Sequence, residues 1–175
     1  MKRLPLISAI AALVLLIPAL ALARAPETYV AHLKSMNGSG VTATAWLTVG
    51  GGQVTVHIEE GGLEAGKPHP QHVHGKLPGD AGASPTLISK CPAPSRDTDG
   101  DGLVSFAEGL PDYGAVLINF GAPVANADGT LTVDGSFATT SDLGTRAVVI
   151  HGLTVDGTYV PSLPVACGQV HRIGD

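Results

Sequence analysis

Charge and aromatic rings are both scarce in this chain of 175 residues: only 14% of its residues are charged and only 4% are aromatic. The charged share is about half the usual one, so the chain has no coiled-coil bias. Basic groups are the rarer sign, Lys+Arg 10 against Asp+Glu 15, so there is no basic excess to suit a nucleic-acid partner. Helical periodicity is missing after residue 23. There is no Ser-His-Asp context, no phosphate loop and no paired-carboxylate signature, which argues against hydrolytic and phosphoryl-transfer chemistry. Histidine is absent from one long interval: the seven histidines lie at 32, 57, 69, 72, 74, 151 and 171, none of them between 75 and 150.

What is present begins with a leader. Lys2 and Arg3 precede an apolar stretch from Leu4 to Leu22 that ends in small residues at Ala21 and Ala23. This pattern predicts a secretory signal peptide over 1–23, cleaved after Ala23, and not an anchor, because Pro5 and Pro18 interrupt a run already short for a span of about 20 residues. The remaining residues 24–175 suit one domain with 8 basic and 15 acidic groups, secreted or periplasmic, with no membrane partner after cleavage. An oxidising compartment favours pairing of the two cysteines, Cys91 and Cys167. Such a bridge would stabilise the fold by at most about 4 to 5 kcal/mol through loop closure.

Period-two alternation recurs in Val41–Val49, Gln53–Glu59 and Thr130–Asp134, with further strands expected at Thr28–Lys34, Gln71–Gly75, Ala115–Phe120, Arg146–Gly152 and Val165–Ile173. Turn clusters at Asn37–Gly40, Gly50–Gly52 and Asp128-Gly129 separate them. The fold class is therefore all-β, an eight-stranded Greek-key sandwich or barrel. The segment Lys76–Gly114 is too long for a simple connection, and a loop of that length is usually functional or held by a metal or a disulfide.

Within it, Asp97-Thr-Asp-Gly-Asp-Gly-Leu-Val-Ser-Phe-Ala-Glu108 fits the twelve-position calcium pattern. Asp97, Asp99 and Asp101 would offer side-chain oxygens, Leu103 its carbonyl, Ser105 a direct or water-mediated contact, and Glu108 both carboxylate oxygens. Four carboxylates in twelve residues repel one another unless a cation lies between them. Pro92 and Pro94 before the loop and Gly109 and Pro111 after it suggest no flanking helices, hence a structural clamp and not a sensor.

His72-Val73-His74 on a strand places two imidazoles on one face, a partial site for Cu, Zn, Ni or Fe that needs a third ligand. His151, ending the apolar run Arg146–Ile150, is the natural candidate. Three neutral imidazoles suit copper or zinc with one position open.

The segments Gly62-Leu63, His69-Pro-Gln-His72-Val-His74-Gly75, Cys91, Arg146-Ala-Val-Val-Ile-His151 and Ala166-Cys167-Gly168 resemble the Cu/Zn superoxide dismutase family in order and spacing. Tyr29-Val-Ala-His-Leu33, the Gly-rich hairpin and Gln71-His-Val-His-Gly75 also resemble secreted bacterial proteins with the chordin-type (CHRD) domain. Over most of residues 28–173 the resemblance implies an eight-stranded Greek-key barrel with a Cys91–Cys167 bridge. It implies copper ligands at His72, His74 and His151, a supporting histidine at His69 that orients a ligand, and an arginine, Arg146, opening the strand that leads to His151.

Two departures bear on function. The dismutases carry a bridging histidine and zinc ligands where this chain has no histidine, so no complete zinc site is expected and calcium would organise the long loop instead. Where the family has an anion-guiding arginine three positions before the second cysteine, this chain has Pro164. An acidic domain without that cation attracts superoxide weakly. The expectation is an exported copper-binding protein with structural calcium; the alternatives are a copper-only superoxide dismutase acting on superoxide and a non-catalytic chordin-type interaction module.

Overall fold

The alternating segments fold into eight strands. The computed structural model describes residues 25–79, 87–139 and 142–174, so the expected leader at 1–23 lies outside the described residues. The strands are β1 (Glu27–Ser35), β2 (Thr42–Gly50), β3 (Gln53–Gly61), β4 (Gln71–Gly75), β5 (Ala115–Gly121), β6 (Leu131–Ala138), β7 (Ala147–Val155) and β8 (Thr158–Arg172). All pair antiparallel in the order β5-β4-β7-β8-β1-β2-β3-β6. β3 lies beside β6 and β4 beside β7 although other strands intervene in the chain, which is the Greek-key crossover. β8 is long enough to pair with β7 along most of its length and with β1 at its end, joining two halves. The edges β5 and β6 meet without a hydrogen-bonded ladder; Phe120 and Phe137 bridge them with ring centroids 5.0 Å apart, nearly closing a barrel.

Alternation decides which side chains enter that barrel. Ala31 is paired with Ala45, Ala45 with Ile58 and Ile58 with Val133, forming one buried row across four strands. The turns Gly51-Gly52 and Asp156-Gly157 are two-residue hairpin loops with all four residues at positive φ, the geometry a type I′ turn requires. One polar pair shares the interior: Gln71 from β4 donates to Glu60 Oε1 of β3 at 2.6 Å, across the barrel.

β7 departs from alternation, since Ala147 to Gly152 are buried without a break. Val148 and Ile150 enter the barrel core, whereas Ala147 and Val149 join Tyr113 and Cys167 in a second cluster, together with Met36, Cys91 and Phe106. That cluster lies on the outer face, and the excursion after β4 covers it. The disulfide Cys91–Cys167 pins the excursion to β8, with Cα atoms 5.7 Å apart and 76 positions between them in sequence.

The expectation of a loop without helices is corrected here. A 3-10 turn, Pro94–Arg96, precedes the acidic segment, and an eight-residue helix, α1 (Phe106–Tyr113), begins inside it. Pro94 occupies the first position of its turn, where a missing N–H costs nothing. In α1 Pro111 does remove one internal hydrogen bond. Two features offset it: a capping box, in which Ser105 and Glu108 satisfy each other's backbone N–H groups, and Tyr113, buried and donating its hydroxyl to the Phe106 carbonyl at 2.7 Å. Gly109 is required because the Tyr113 ring lies directly over it. Among the described residues no helix is long and apolar enough to cross a membrane.

Candidate metal centre

Val73 points into the barrel, so His72 and His74 project from the outer face of β4, beside Val149 and Ala147 of β7. His151 of β7 joins them, and the ring centroids form a near-equilateral triangle with sides of 5.3, 5.5 and 5.6 Å. All three histidines sit at irregularities in the ladder, two in the β4–β5 pairing and two flanking His151. Bulges of this kind re-aim side chains, and here they turn three imidazoles toward one point.

The electrostatics follow from burial. His74 and His151 are essentially inaccessible and His72 is half-buried. Burial pulls His74 down to about 4, against an opposing hydrogen bond to the Gly114 carbonyl, and His151 down to about 3, with His74 adding a smaller like-charge effect. Burial likewise lowers His72. All three are neutral imidazoles near pH 7, the form that binds metals.

The hydrogen bonds of His74 and His151 leave one nitrogen of each ring for a ligand role. His74 Nδ1 lies 2.9 Å from the Gly114 carbonyl and His151 Nδ1 lies 2.9 Å from the Ser162 carbonyl. A carbonyl only accepts, so in each ring Nδ1 carries the proton and Nε2 keeps its lone pair. Those two Nε2 atoms and His72 Nδ1 are buried with no hydrogen-bond partner, and one ring nitrogen from each histidine lies within 4.8 Å of the other two. A buried acceptor without a partner costs about 1 to 3 kcal/mol, and a cation among these three clustered rings would remove that cost. The residues present therefore fit a metal ion.

His69, expected as a support, does not touch an imidazole of the triad by hydrogen bond. Its Nδ1 lies 3.0 Å from the His151 backbone carbonyl and its Nε2 3.2 Å from that of Glu64, so it braces the main chain that carries His151. Arg146 is spent on the backbone carbonyls of Asp142 and Lys76. Pro164 stands opposite His151 on β8, where its carbonyl accepts from Asn37.

Compared with known protein families, the chain matches none, and it matches no curated protein.

The acidic loop forms a second cluster. Oxygens of Asp97, Asp99 and Glu108 lie within 4.8 Å of one another. Asp101 is outside this group and instead accepts from the Leu103 N–H at 2.8 Å, while Ser105 Oγ lies 2.9 Å from Glu108 Oε2. Hydrogen bonds from Ser105 and Thr98 hold the Glu108 carboxyl at about 2. Arg96 and Asp112 close the loop with two parallel hydrogen bonds of 2.6 and 2.5 Å. The Asn37 side chain clamps the loop to the barrel, pairing with both the N–H (2.7 Å) and the carbonyl (3.0 Å) of Val104.

Sequence reasoning missed the roof of the histidine site. The Phe106 ring lies 6.0 Å from His74 and 5.9 Å from His151, and Tyr113 lies 4.6 Å from His74. The spacing of seven between these two aromatics, in a chain with so few, is the signal of one helical face. The Gly114 and Ser162 carbonyls left no such signal, because any residue carries one.

Proposed function

We propose that this is an exported copper-binding protein on a dismutase-like β scaffold, holding the ion on His72 Nδ1, His74 Nε2 and His151 Nε2. One observation carries the reading: three clustered histidines each bring a ring nitrogen within 4.8 Å of the others, and each has a buried ring nitrogen without a hydrogen-bond partner. Each residue has a definite task. The Gly114 and Ser162 carbonyls fix the tautomers of His74 and His151, and His69 braces the backbone of the latter. Phe106 and Tyr113 keep water from two sides, while half-exposed His72 marks the side of entry. Bound copper would supply one-electron chemistry. Imidazole also suits zinc; copper is preferred because the resemblance assigns these histidines to copper and leaves the zinc ligands without counterparts. The cystine between the only two cysteines supports an oxidising destination, secreted or periplasmic.

Calcium belongs to the same reading as a structural ion on Asp97, Asp99 and Glu108, with Asp101, Leu103 and Ser105 completing the sphere. A second function, copper-only dismutation of superoxide, is favoured by the exposure of His72. Pro164 opposite His151 weighs against it, since no cation stands there to guide an anion. The chordin-type module reading leaves the three unpartnered nitrogens without a purpose.

Copper titration with elemental analysis tests the proposal: wild type takes up one equivalent, and His72→Ala and His151→Ala lose it. Equal uptake by all three proteins overturns the site. Superoxide decay over the copper-loaded protein that is no faster than over denatured protein removes dismutation. Calcium raises the Tm of wild type but not of an Asp97→Ala, Glu108→Ala variant; equal shifts remove calcium.

A further inference from the structure

The donors of the histidine site carry no charge, and this sets which ion it prefers. Among the described residues, no carboxylate or thiolate belongs to the group of His72, His74 and His151. The only two cysteines are locked in the disulfide. An ion placed there keeps its full charge in a buried setting, His74 and His151 being 0% and 1% exposed. The cost of burying an ion rises with the square of its charge, so a divalent ion is penalised roughly fourfold more than a monovalent one.

The roof acts in the same direction. Phe106 lies against the edge of the triangle between His74 and His151, nearly equidistant from the two rings. Its ring offers no donor atom. Tyr113, the other aromatic at the site, donates its hydroxyl to the Phe106 carbonyl and is not free to act as a ligand. A divalent zinc or copper ion seeks a fourth ligand, commonly water or an anion. Three imidazoles satisfy monovalent copper without one, and an apolar wall that lowers the local polarity favours the lower charge.

We propose, resting on the copper reading above, that the centre is selective for Cu(I) and that Phe106 is the specificity-determining residue. It walls the edge between His74 and His151 with a ring that offers no donor, which leaves access to a fourth ligand from the half-exposed His72 side alone. The protein would thus hold cuprous copper in an oxidising compartment and discriminate against Zn(II) and Cu(II).

The test is an anaerobic titration of the purified protein with Cu(I) against a chromophoric Cu(I) chelator, with parallel titrations of Cu(II) and Zn(II). Wild type is expected to bind one Cu(I) and to bind Cu(II) and Zn(II) more weakly. Phe106→His introduces a nitrogen at the closed edge and should raise Cu(II) affinity about 10- to 100-fold, lower the reduction potential and give a Cu(II) spin-resonance signal with an added nitrogen. Phe106→Leu, which keeps the wall apolar, should retain the wild-type preference and guards against misfolding of the first variant. Wild type binding Cu(II) as tightly as Cu(I), with loss of both in His72→Ala, overturns the selectivity and leaves the copper site standing. Wild type binding no copper in either state overturns both.

Discussion

The metal-free protein should lose stability between pH 6.5 and pH 5, and the structure says by how much and from which residues. His74 and His151 ordinarily titrate at 6.5 but are held at about 4 and about 3 in the fold. By pH 5 the unfolded chain holds nearly two protons on these rings that the native state refuses. The stability contributed by these neutral rings is present above 6.5 and is lost as pH falls toward the folded values. At 1.36 kcal/mol per pH unit and per group, each costs about 2 kcal/mol at pH 5, about 4 kcal/mol for the pair.

Glu60 works in the opposite direction. Burial raises its carboxyl from 4.5 to about 7, against a smaller effect of the Gln71 hydrogen bond. The native state therefore holds a proton that the unfolded state has released, so its contribution is full below 4.5 and is lost as pH rises through about 7. Falling from pH 6.5 to 5 it returns about 2 kcal/mol. The net loss in wild type is about 2 kcal/mol, with lowered His72 adding to it. Urea midpoints read by far-UV circular dichroism, with chelator present, should give three slopes. Wild type declines moderately toward acid, Glu60→Gln declines about twice as steeply, and a His74→Gln, His151→Gln variant reverses sign and gains stability down to pH 5. His57, raised by Asp134 and Glu59 on the exposed face, is common to all three proteins and cancels in the comparison. Equal slopes in wild type and the double-histidine variant would refute the assignment of buried neutral imidazoles.

Two further outcomes concern the excursion that covers the site. Replacing Cys91 and Cys167 by alanine should lower urea stability by up to about 4.5 kcal/mol, from closure of a loop spanning 76 positions, and should raise hydrogen exchange in α1. Asn37 sits at φ 54 and makes three hydrogen bonds, two to Val104 and one to the Pro164 carbonyl. Asn37→Ala loses those bonds and strains the turn, for about 2 to 3 kcal/mol, whereas Asn37→Gly loses the bonds alone and should fall short of that by about 1 kcal/mol.

The barrel was legible because its strands alternate and its turns use Gly, Asn and Asp. All eight were foreseen, and the main shortfall was β8, expected from Val165 but beginning at Thr158. The Asp156-Gly157 pair just before it is a hairpin signal in the sequence. Helix α1 was illegible for a different reason. Its capping box, Ser105 and Glu108, consists of the same residues that read as positions nine and twelve of a calcium loop, and Pro111 hid the rest. His72 and His74 were readable from their spacing on one strand. That they face outward, away from the core, was not, because the covering segment has no periodicity that reports where it lies.

The outward placement explains why so long an excursion exists. On an open barrel face three imidazoles would be solvated, free to protonate near 6.5 and free to turn. The 76–114 segment changes each of these conditions with a different part of itself. Cys91 anchors it to β8, Asn37 holds its Val104 backbone, Phe106 and Tyr113 of α1 exclude water from His74 and His151, and Gly114 fixes the tautomer of His74 with its carbonyl. Gly114 must be glycine, having φ +84 and so close an approach to the Gly75 backbone that a Cβ would strike it. The barrel thus supplies the directions of the three nitrogens, and the excursion supplies their burial and hence their neutrality. The proposed metal site stands or falls with the docking of one loop, whose own acidic turn begins the helix that roofs the histidines.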